Sequence, residues 1–253
     1  MKKTNSYAYS AKLFAGIFMA IIFAVSCSKK PHWGYEGKEG PENWGDLTKE
    51  YELCKTGKSQ SPIDVKGPFD TKPSNLQIQY KTTKANIVNN GHTIQVNYDS
   101  GSKIVVDGTE YELKQFHFHT PSEHTINGQY LAMVAHLVHA SKDGNLAVIG
   151  LLLRDGEENG FLKKFWSEIP QKSGETKSLE LSIDASEFLP ASKAFWTYSG
   201  SLTTPPCSEG VKWMVLKENP TVSKEQVMAF SKLFPKSSRP VQPLNERKIG
   251  ETE

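Results

Sequence analysis

The chain of 253 residues is 37% hydrophobic and 23% charged, with 19 glycines and 14 prolines spread along its length. These values are typical of a globular protein that can bury a full core as one large domain. The formal charge is +2, but the first 26 residues carry three lysines and no acid, which leaves 27 basic and 28 acidic side chains elsewhere. That balance excludes a protein that binds nucleic acid through a strongly basic face.

The N-terminus has the pattern of an export signal. Its lysines precede an unbroken apolar run of 13 residues, Leu13 to Val25, which is too short to cross a bilayer as a helix. We therefore predict a signal peptide over residues 1–26 and export to the cell envelope or periplasm. The segment AVSC ends at Cys27 and resembles a bacterial lipobox, which predicts a lipidated cysteine anchored in a membrane. Cleavage and release of the chain is the alternative.

The three cysteines agree with export. If Cys27 carries lipid, Cys54 and Cys207 remain as one pair that can form a disulfide in an oxidising compartment. This bridge would close a loop of more than 150 residues, which the chain-entropy model values at about 4–5 kcal/mol. Two free buried thiols are the alternative.

After the signal, the chain shows an arm, then many strand patterns. Residues 27–45 are dense in Gly, Pro and aromatic residues and predict an irregular tether rather than a helix. Alternating or apolar runs separated by turn residues predict a β-rich domain. The predicted strands are 75–80, 85–90, 93–98, 103–108, 111–119, 130–140 and 146–153. Two helices are predicted, 159–170 and 223–234, the second with an N-cap at Ser223.

The stretch QFHFH, residues 115–119, has the period of a strand. Residues two apart in a strand point to the same face. Gln115, His117 and His119 therefore share one face, and Phe116 and Phe118 occupy the other, where they can pack into a core.

A further histidine lies on the next predicted strand, where Val134, His136 and Val138 share a face. If the two strands are neighbours, three imidazoles converge from one side. Three neutral imidazoles and one open position are the coordination of a catalytic zinc, which lowers the pKa of a bound water toward about 7. Histidines that merely alternate on an exposed strand, with no metal, are the alternative.

Several separate motifs occur in an order that resembles the α-class carbonic anhydrases: NNGH, QFHFH, SEHT, HLVH, GSLTTPPCSEGVKW and RPVQPL. The likeness covers roughly residues 32–248, and HTPSEH resembles the bacterial members. It implies a mostly β (α+β) single domain over residues 32–253, built around a large, twisted, mainly antiparallel central sheet with a few peripheral helices. It also implies a zinc site in a conical cleft on that sheet.

The implied function is the reversible hydration of carbon dioxide to bicarbonate and a proton by attack of a zinc-bound hydroxide. His117, His119 and His136 match the zinc ligands, one Zn²⁺ per chain. Glu123 matches the acceptor of the Thr203 hydroxyl proton, which leaves Thr203 only able to accept a hydrogen bond from the hydroxide.

The resemblance implies further roles around the metal. Thr204 matches a bicarbonate contact, and His92 matches the proton shuttle. The apolar wall for carbon dioxide matches Val138, Val148, Leu202, Val211 and Trp213. The polar residues along the proton path match Tyr35, Asn90 and Gln95, although Gln95 replaces the usual asparagine. Gln115 is a natural partner for the ring of His117, whereas His124 and His139 match structural histidines.

One position departs from the family pattern. Val134 stands where relatives usually have a glutamate that receives the second N–H of the third zinc ligand, which predicts weaker or faster-exchanging zinc. Two other functions are the alternatives. The protein could be a carbonic-anhydrase-like surface protein that has kept the fold only for binding, or an esterase that uses the same zinc site. The expected partners are carbon dioxide, bicarbonate, sulfonamides and inhibitory anions, with no nucleic acid, membrane contact only through a lipid anchor, and a monomer or homodimer.

Overall fold

The computed structural model describes residues 31–71 and 75–253. The predicted signal peptide and Cys27 lie outside the described residues. The strands are β1 (Asp64–Val65), β2 (Asp70–Thr71), β3 (Leu76–Gln79), β4 (Thr83–Asn89), β5 (Ile94–Asn97), β6 (Lys103–Val106), β7 (Thr109–His119), β8 (Thr125–Ile126), β9 (Met133–Ala140), β10 (Leu146–Asp155), β11 (Thr176–Ile183), β12 (Phe195–Ser201), β13 (Glu209–Leu216), β14 (Thr221–Val222) and β15 (Gly250–Glu251). The helices are α1 (Trp44–Leu47), α2 (Leu53–Thr56), α3 (Gly160–Lys163) and α4 (Lys224–Ser231), with 3-10 turns at Gly37–Glu39, Lys49–Tyr51, Trp166–Glu168 and Ala185–Phe188.

One large sheet dominates the part of the chain that the structure describes. Its strands follow the order β11, β4, β5, β7, β9, β10, β13, β12, β15, β2, while β6 joins β3 to β7 and β14 pairs with β10. Neighbours are antiparallel except for the parallel pairs β10–β13, β10–β14 and β15–β2. β1 and β8 form a separate parallel pair. The predicted mostly β fold with a mainly antiparallel central sheet is therefore confirmed.

The two faces of the sheet bury different side chains. Phe116 and Phe118 are fully buried in the larger apolar cluster on one side of β7. Val134, Val148 and Trp213 belong to a second cluster, supplied by β9, β10 and β13. Central strands covered on both sides carry long apolar runs instead of strict alternation, as β10 does. Each face of the sheet thus has its own apolar packing, and the histidine face of β7 lies opposite the larger core.

The predicted helices are present at the periphery but differ in length. α4 begins after Ser223, whose side chain accepts from the backbone N–H of Gln226 in a reciprocal capping box. In the segment 159–170, α3 ends at Lys163 and a separate 3-10 turn follows at Trp166–Glu168. Asn159 caps α3 by accepting the N–H groups of Phe161 and Leu162.

The predicted irregular arm contains helical structure, so that prediction is wrong in part. α1 has four residues, and its N-cap residue makes no side-chain cap. The fully buried Trp44 fixes this segment instead, because its indole N–H donates to the carbonyls of Gly34 at 2.8 Å and Glu39 at 2.9 Å. Tertiary packing produces this helix, and a local sequence pattern does not reveal it.

Six described strands of the sheet lie beyond the predicted set, the short β2, β14 and β15 and the longer β11, β12 and β13. β11 alternates exposed and half-buried side chains, a period that could be read from its sequence, whereas the burial of β12 follows no simple period. β13 pairs with β10 and places Trp213 beside the histidine strands. Among the described residues, no helix is both long and apolar enough to cross a membrane.

Candidate active site

Three histidines meet on one face of the central sheet. β7 and β9 are antiparallel neighbours, and their register places His117 opposite His136. One ring nitrogen from each of His117, His119 and His136 lies within 4.8 Å of the others. His119 and His136 are buried, and His117 is half-buried. The neighbouring strands that the histidine pattern required are therefore present.

The second ring nitrogens define which atoms face the centre. The Nδ1–H of His117 donates to Oε1 of Gln115 at 2.8 Å, and that of His119 donates to the carbonyl of Ser237 at 2.5 Å. These acceptors fix the tautomer, because a carbonyl oxygen can only accept. Both Nε2 lone pairs are therefore free for a metal. His136 differs, because its Nδ1 faces Glu123 Oε2 at 3.8 Å and its Nε2 is buried without a partner among the described residues.

The local electrostatics favour neutral imidazoles. Burial, then the neighbouring His119, holds the pKa of His117 well below its ordinary value. Burial also lowers the pKa of His136, followed by the effects of His119, His117 and His124. A neutral imidazole has the lone pair that a metal requires.

The donor set fits Zn²⁺. In the described part of the chain, the cluster contains three nitrogen ligands and no fourth protein ligand. Both described cysteines are joined to each other, so neither supplies a thiolate. Three imidazoles with an open fourth position are typical of catalytic rather than structural zinc.

A buried carboxylate lies behind the histidines. Glu123 is fully buried, and its Oε1 accepts the backbone N–H of Arg239 at 2.9 Å. Its Oε2 lies 3.7 Å from His119 Nε2. Burial raises the pKa of the Glu123 carboxyl, while His119, the Arg239 N–H and the Thr203 side chain act to lower it. Thr203 is therefore close enough to affect the Glu123 carboxylate, whose Oε2 has no hydrogen-bond partner among the described residues.

The histidines open into a cavity of about 140 Å³. Its lining combines the ligands His117 and His119 with most of the polar residues that the resemblance singled out. These are Tyr35, Asn90, His92, Gln95, Gln115 and Thr204. The structure thus brings the predicted shuttle, the proton-path residues and the bicarbonate contact to one cavity.

His92 stands against an aromatic ring in this cavity. Its imidazole stacks on Trp33, with ring centroids 3.7 Å apart and planes inclined by 7°. Burial, then His32, lowers the pKa of His92. Trp33 is a site residue that the sequence did not indicate, because it lies in the irregular arm and carries no motif.

The proton-path residues have defined contacts. Asn90 Oδ1 accepts the backbone N–H groups of His92 and Thr93, each at 3.0 Å, so it shapes the turn that carries His92. Gln95 donates to Asn97 at 2.7 Å. The buried Tyr35 hydroxyl has no partner among the described residues, and burial, then Glu123, raises its pKa well above the ordinary value.

The five residues of the predicted carbon dioxide wall belong to one apolar cluster, made of Val138, Val148, Leu202, Val211 and Trp213 with their neighbours. Strand pairing explains this, because Val148 on β10 lies opposite Val138 on one side and Trp213 on the other. The Trp213 ring lies 4.9 Å from that of His136. An apolar surface therefore adjoins the metal ligands.

Two other histidines are structural. His124 Nε2 is 2.7 Å from the Tyr198 hydroxyl, and His139 Nε2 is 2.8 Å from the Tyr80 hydroxyl. Burial lowers the pKa of each to about 3. Neither belongs to the metal cluster of the described residues.

The predicted disulfide is confirmed. Cys54 and Cys207 are joined and both are buried beside Trp44 and Tyr51. Such bridges are typical of proteins exported to an oxidising compartment. The bridge lies close to the site, because the N–H of Cys207 donates to the carbonyl of Thr204 at 2.9 Å.

The backbone of one irregular segment contributes to the site through contacts that its motif, RPVQPL from Arg239 onward, does not reveal. The Ser237 carbonyl holds His119, and the Arg239 N–H holds Glu123. The buried Arg239 side chain ties this segment to the carbonyls of Cys54 and Ser61, each at 2.8 Å.

The fold and the three histidines define a protein with a single-metal centre in the cleft of a β-sheet, and its relatives give the family. Residues 39–253 match the family described as eukaryotic-type carbonic anhydrase. A carbonic anhydrase of Nostoc sp. is 45% identical over 240 residues, covering 92% of this chain and 91% of the relative. This chain belongs to that carbonic anhydrase family.

Solved structures agree. A hyperthermostable carbonic anhydrase from an active hydrothermal vent chimney is 51% identical with a TM-score of 0.85, covering 88% of this chain and 100% of the other. The α-carbonic anhydrase of Thermovibrio ammonificans, in complex with the inhibitor sulfanilamide, is 46% identical with a TM-score of 0.81, covering 89% and 100%.

Proposed function

We propose that this protein catalyses the reversible hydration of carbon dioxide to bicarbonate and a proton, with Zn²⁺ held by His117, His119 and His136. The observation that carries the proposal is the cluster of three imidazoles, which opens into a polar cavity beside an apolar surface. Zinc bound in this manner supplies a nucleophile at neutral pH by lowering the pKa of a bound water toward about 7.

Thr203 and Glu123 position that nucleophile. The carboxylate is proposed to accept the Thr203 hydroxyl proton, so that the threonine oxygen offers only lone pairs to the nucleophile. An effect of the Thr203 side chain that lowers the pKa of Glu123 supports this pairing. The threonine oxygen then accepts a hydrogen bond from the nucleophile and fixes its orientation. The carboxylate itself is held by the Arg239 N–H at 2.9 Å.

The substrate meets two kinds of surface. Carbon dioxide has little to offer a hydrogen-bonding group, so the apolar side chains of Val138, Val148 and Trp213 suit it. Thr204 lines the cavity beside His117 and His119 and is proposed to contact bicarbonate. The substrate is thus held by packing and the product by a hydrogen bond.

Stopped-flow hydration of carbon dioxide by the mature domain tests the proposal. We expect hydration by the zinc-loaded protein, loss after chelation and recovery when zinc is restored. A fully zinc-loaded protein without hydration activity would refute it and favour the binding-protein alternative. Ester hydrolysis faster than hydration in the same preparation would favour the esterase.

His92 is proposed to carry protons between the cavity and buffer. Its ring lines the cavity, and an imidazole can accept and release a proton near neutral pH, although burial lowers the pKa of this one below its ordinary value. His92→Ala is expected to lower turnover in dilute buffer about 100-fold or more, with recovery on adding imidazole. Turnover measured against imidazole concentration checks this prediction. If neither the substitution nor the added imidazole changes the rate, His92 is not the proton shuttle.

We also propose export to the cell envelope or periplasm, with a signal peptide over residues 1–26, an arm over 27–45, a domain over 32–253 and lipid on Cys27. The disulfide supports an oxidising compartment. Membrane fractionation of the wild type and Cys27→Ser tests the anchor, which is refuted if both distribute alike.

The cavity is proposed to bind sulfonamides and inorganic anions, because the Thermovibrio relative binds sulfanilamide. Inhibition by sulfanilamide that vanishes with the metal removed checks this. The chain is proposed to be a monomer or homodimer, which sedimentation equilibrium decides.

A further inference from the structure

The three metal-facing histidines differ in how their second ring nitrogen is held. His117 donates to the side chain of Gln115 at 2.8 Å, and His119 donates to the Ser237 carbonyl at 2.5 Å. The Nε2 of His136 is buried and has no hydrogen-bond partner among the described residues. Metal-bound histidines almost always donate this N–H to an acceptor. His136 is therefore the exception within its own site.

The surroundings of His136 explain the missing acceptor. Val134 lies two residues earlier on the same face of β9, is fully buried, and packs in the apolar cluster with Val148 and Leu152. The Trp213 ring lies 4.9 Å from the His136 ring at an interplanar angle of 76°. A valine and an indole carbon surface offer no lone pair. The residue type at position 134 thus decides whether Nε2 has an acceptor.

An unpartnered N–H affects metal binding in two ways. A buried donor left unpaired is destabilising, and metal binding through Nδ1 requires the tautomer with the proton on Nε2. In addition, Glu123 Oε2 lies 3.8 Å from Nδ1, which favours the proton on Nδ1, the tautomer that cannot bind a metal there. An acceptor at position 134 would reverse that preference, would raise the basicity of the ring, and would hold its orientation.

We propose that Val134 makes this a fast-exchanging zinc site, in which His136 is the weakly held ligand. The expected size is about 10–100-fold in zinc release relative to the same chain with an acceptor at position 134. The inference rests on the metal site of the proposed function but not on the hydration of carbon dioxide. The fraction of the exported protein that holds zinc then depends on the zinc concentration around it.

Zinc dissociation into an excess of a chromogenic chelator tests the proposal. Val134→Glu and Val134→Gln each add an acceptor and are expected to release zinc about 10–100-fold more slowly than the wild type. Val134→Leu is the matched control, because it changes the packing without adding an acceptor, and its release rate is expected to equal that of the wild type. Gln115→Leu removes the acceptor from His117 and is expected to accelerate release.

A second measurement detects the new hydrogen bond of the His136 Nε2–H directly. In ¹⁵N NMR spectra of the zinc-loaded protein, the His136 Nε2–H is expected to shift downfield and exchange more slowly in the Glu and Gln variants. If the Val134→Glu variant does not fold, the uncharged Val134→Gln variant provides the test of the proposal. The proposal is overturned if the new bond forms without slower release, if Val134→Leu slows release equally, or if Gln115→Leu has no effect. Because metal release is measured without substrate, an inactive but zinc-binding protein would refute only the proposed function.

Discussion

Thr203→Ala is expected to lower kcat/KM for carbon dioxide hydration about 100-fold, while zinc content stays unchanged. In the proposed mechanism, the Thr203 hydroxyl donates to the Glu123 carboxylate, and its oxygen accepts a hydrogen bond from the nucleophile. Alanine removes the group that orients the nucleophile but none of the ligands. Loss of orientation at a reacting centre commonly costs about 100-fold in rate. Stopped-flow kinetics and metal analysis of the same preparations provide the measurement.

The carboxylate makes the Thr203 interaction directional. Glu123 is fully buried, and burial raises its pKa, although His119, the Arg239 N–H and Thr203 oppose that shift. A metal cation held by the histidines would oppose the effect of burial and favour the ionised carboxylate. Ionised Glu123 could only accept a hydrogen bond, and the threonine proton would then point away from the substrate.

Matched variants separate the hydroxyl from the size of the side chain. Thr203→Ser keeps the hydroxyl and is expected to retain activity within a few-fold of the wild type. Glu123→Ala removes the acceptor of the threonine hydroxyl proton. Its kcat/KM is expected to fall about as far as that of Thr203→Ala. A serine variant as slow as the alanine variant, with normal zinc content, would contradict the orienting role.

The histidine ligands illustrate what a sequence can predict. The period of two in QFHFH correctly placed Gln115, His117 and His119 on one face and two phenylalanines in the core. His136 could be placed on the same face as Val134 by the same rule, but its position opposite His117 depends on strand pairing. Periodicity fixes the face of a residue and does not fix its neighbour across the sheet.

Other contacts in the site could not be assigned from the sequence, for a physical reason. His119 is held by a backbone carbonyl 118 residues away, at Ser237. Every residue type has a carbonyl and nearly every type has an N–H, so the identities of Ser237 and Arg239 do not reveal these bonds. Trp33 and the four-residue helix α1 are likewise fixed by tertiary packing around Trp44. Only the structure shows that, among the described residues, no distant group accepts a hydrogen bond from the Nε2 of His136 in place of the glutamate that relatives usually have at position 134.

Removing the disulfide is expected to lower the free energy of unfolding by about 4–5 kcal/mol. Cys54 and Cys207 are separated by 153 residues, and closing so long a loop strongly restricts the unfolded chain. For a domain of this size, the loss corresponds to a fall in Tm of roughly 10–15 °C. Urea unfolding of the Cys54→Ser, Cys207→Ser double variant provides the measurement.

The same variant should change activity little at 25 °C, because other contacts hold the loop between β12 and β13. The N–H of Leu202 donates to Ser208 at 3.0 Å, and the Trp213 indole donates to Ser201 at 3.0 Å. Chemical reduction of the wild type is the matched control and should reproduce the loss of stability. A loss below about 1 kcal/mol in both preparations would contradict the chain-entropy account. A large loss of hydration activity in the still-folded variant would instead show that the bridge positions Thr203 and Thr204 directly.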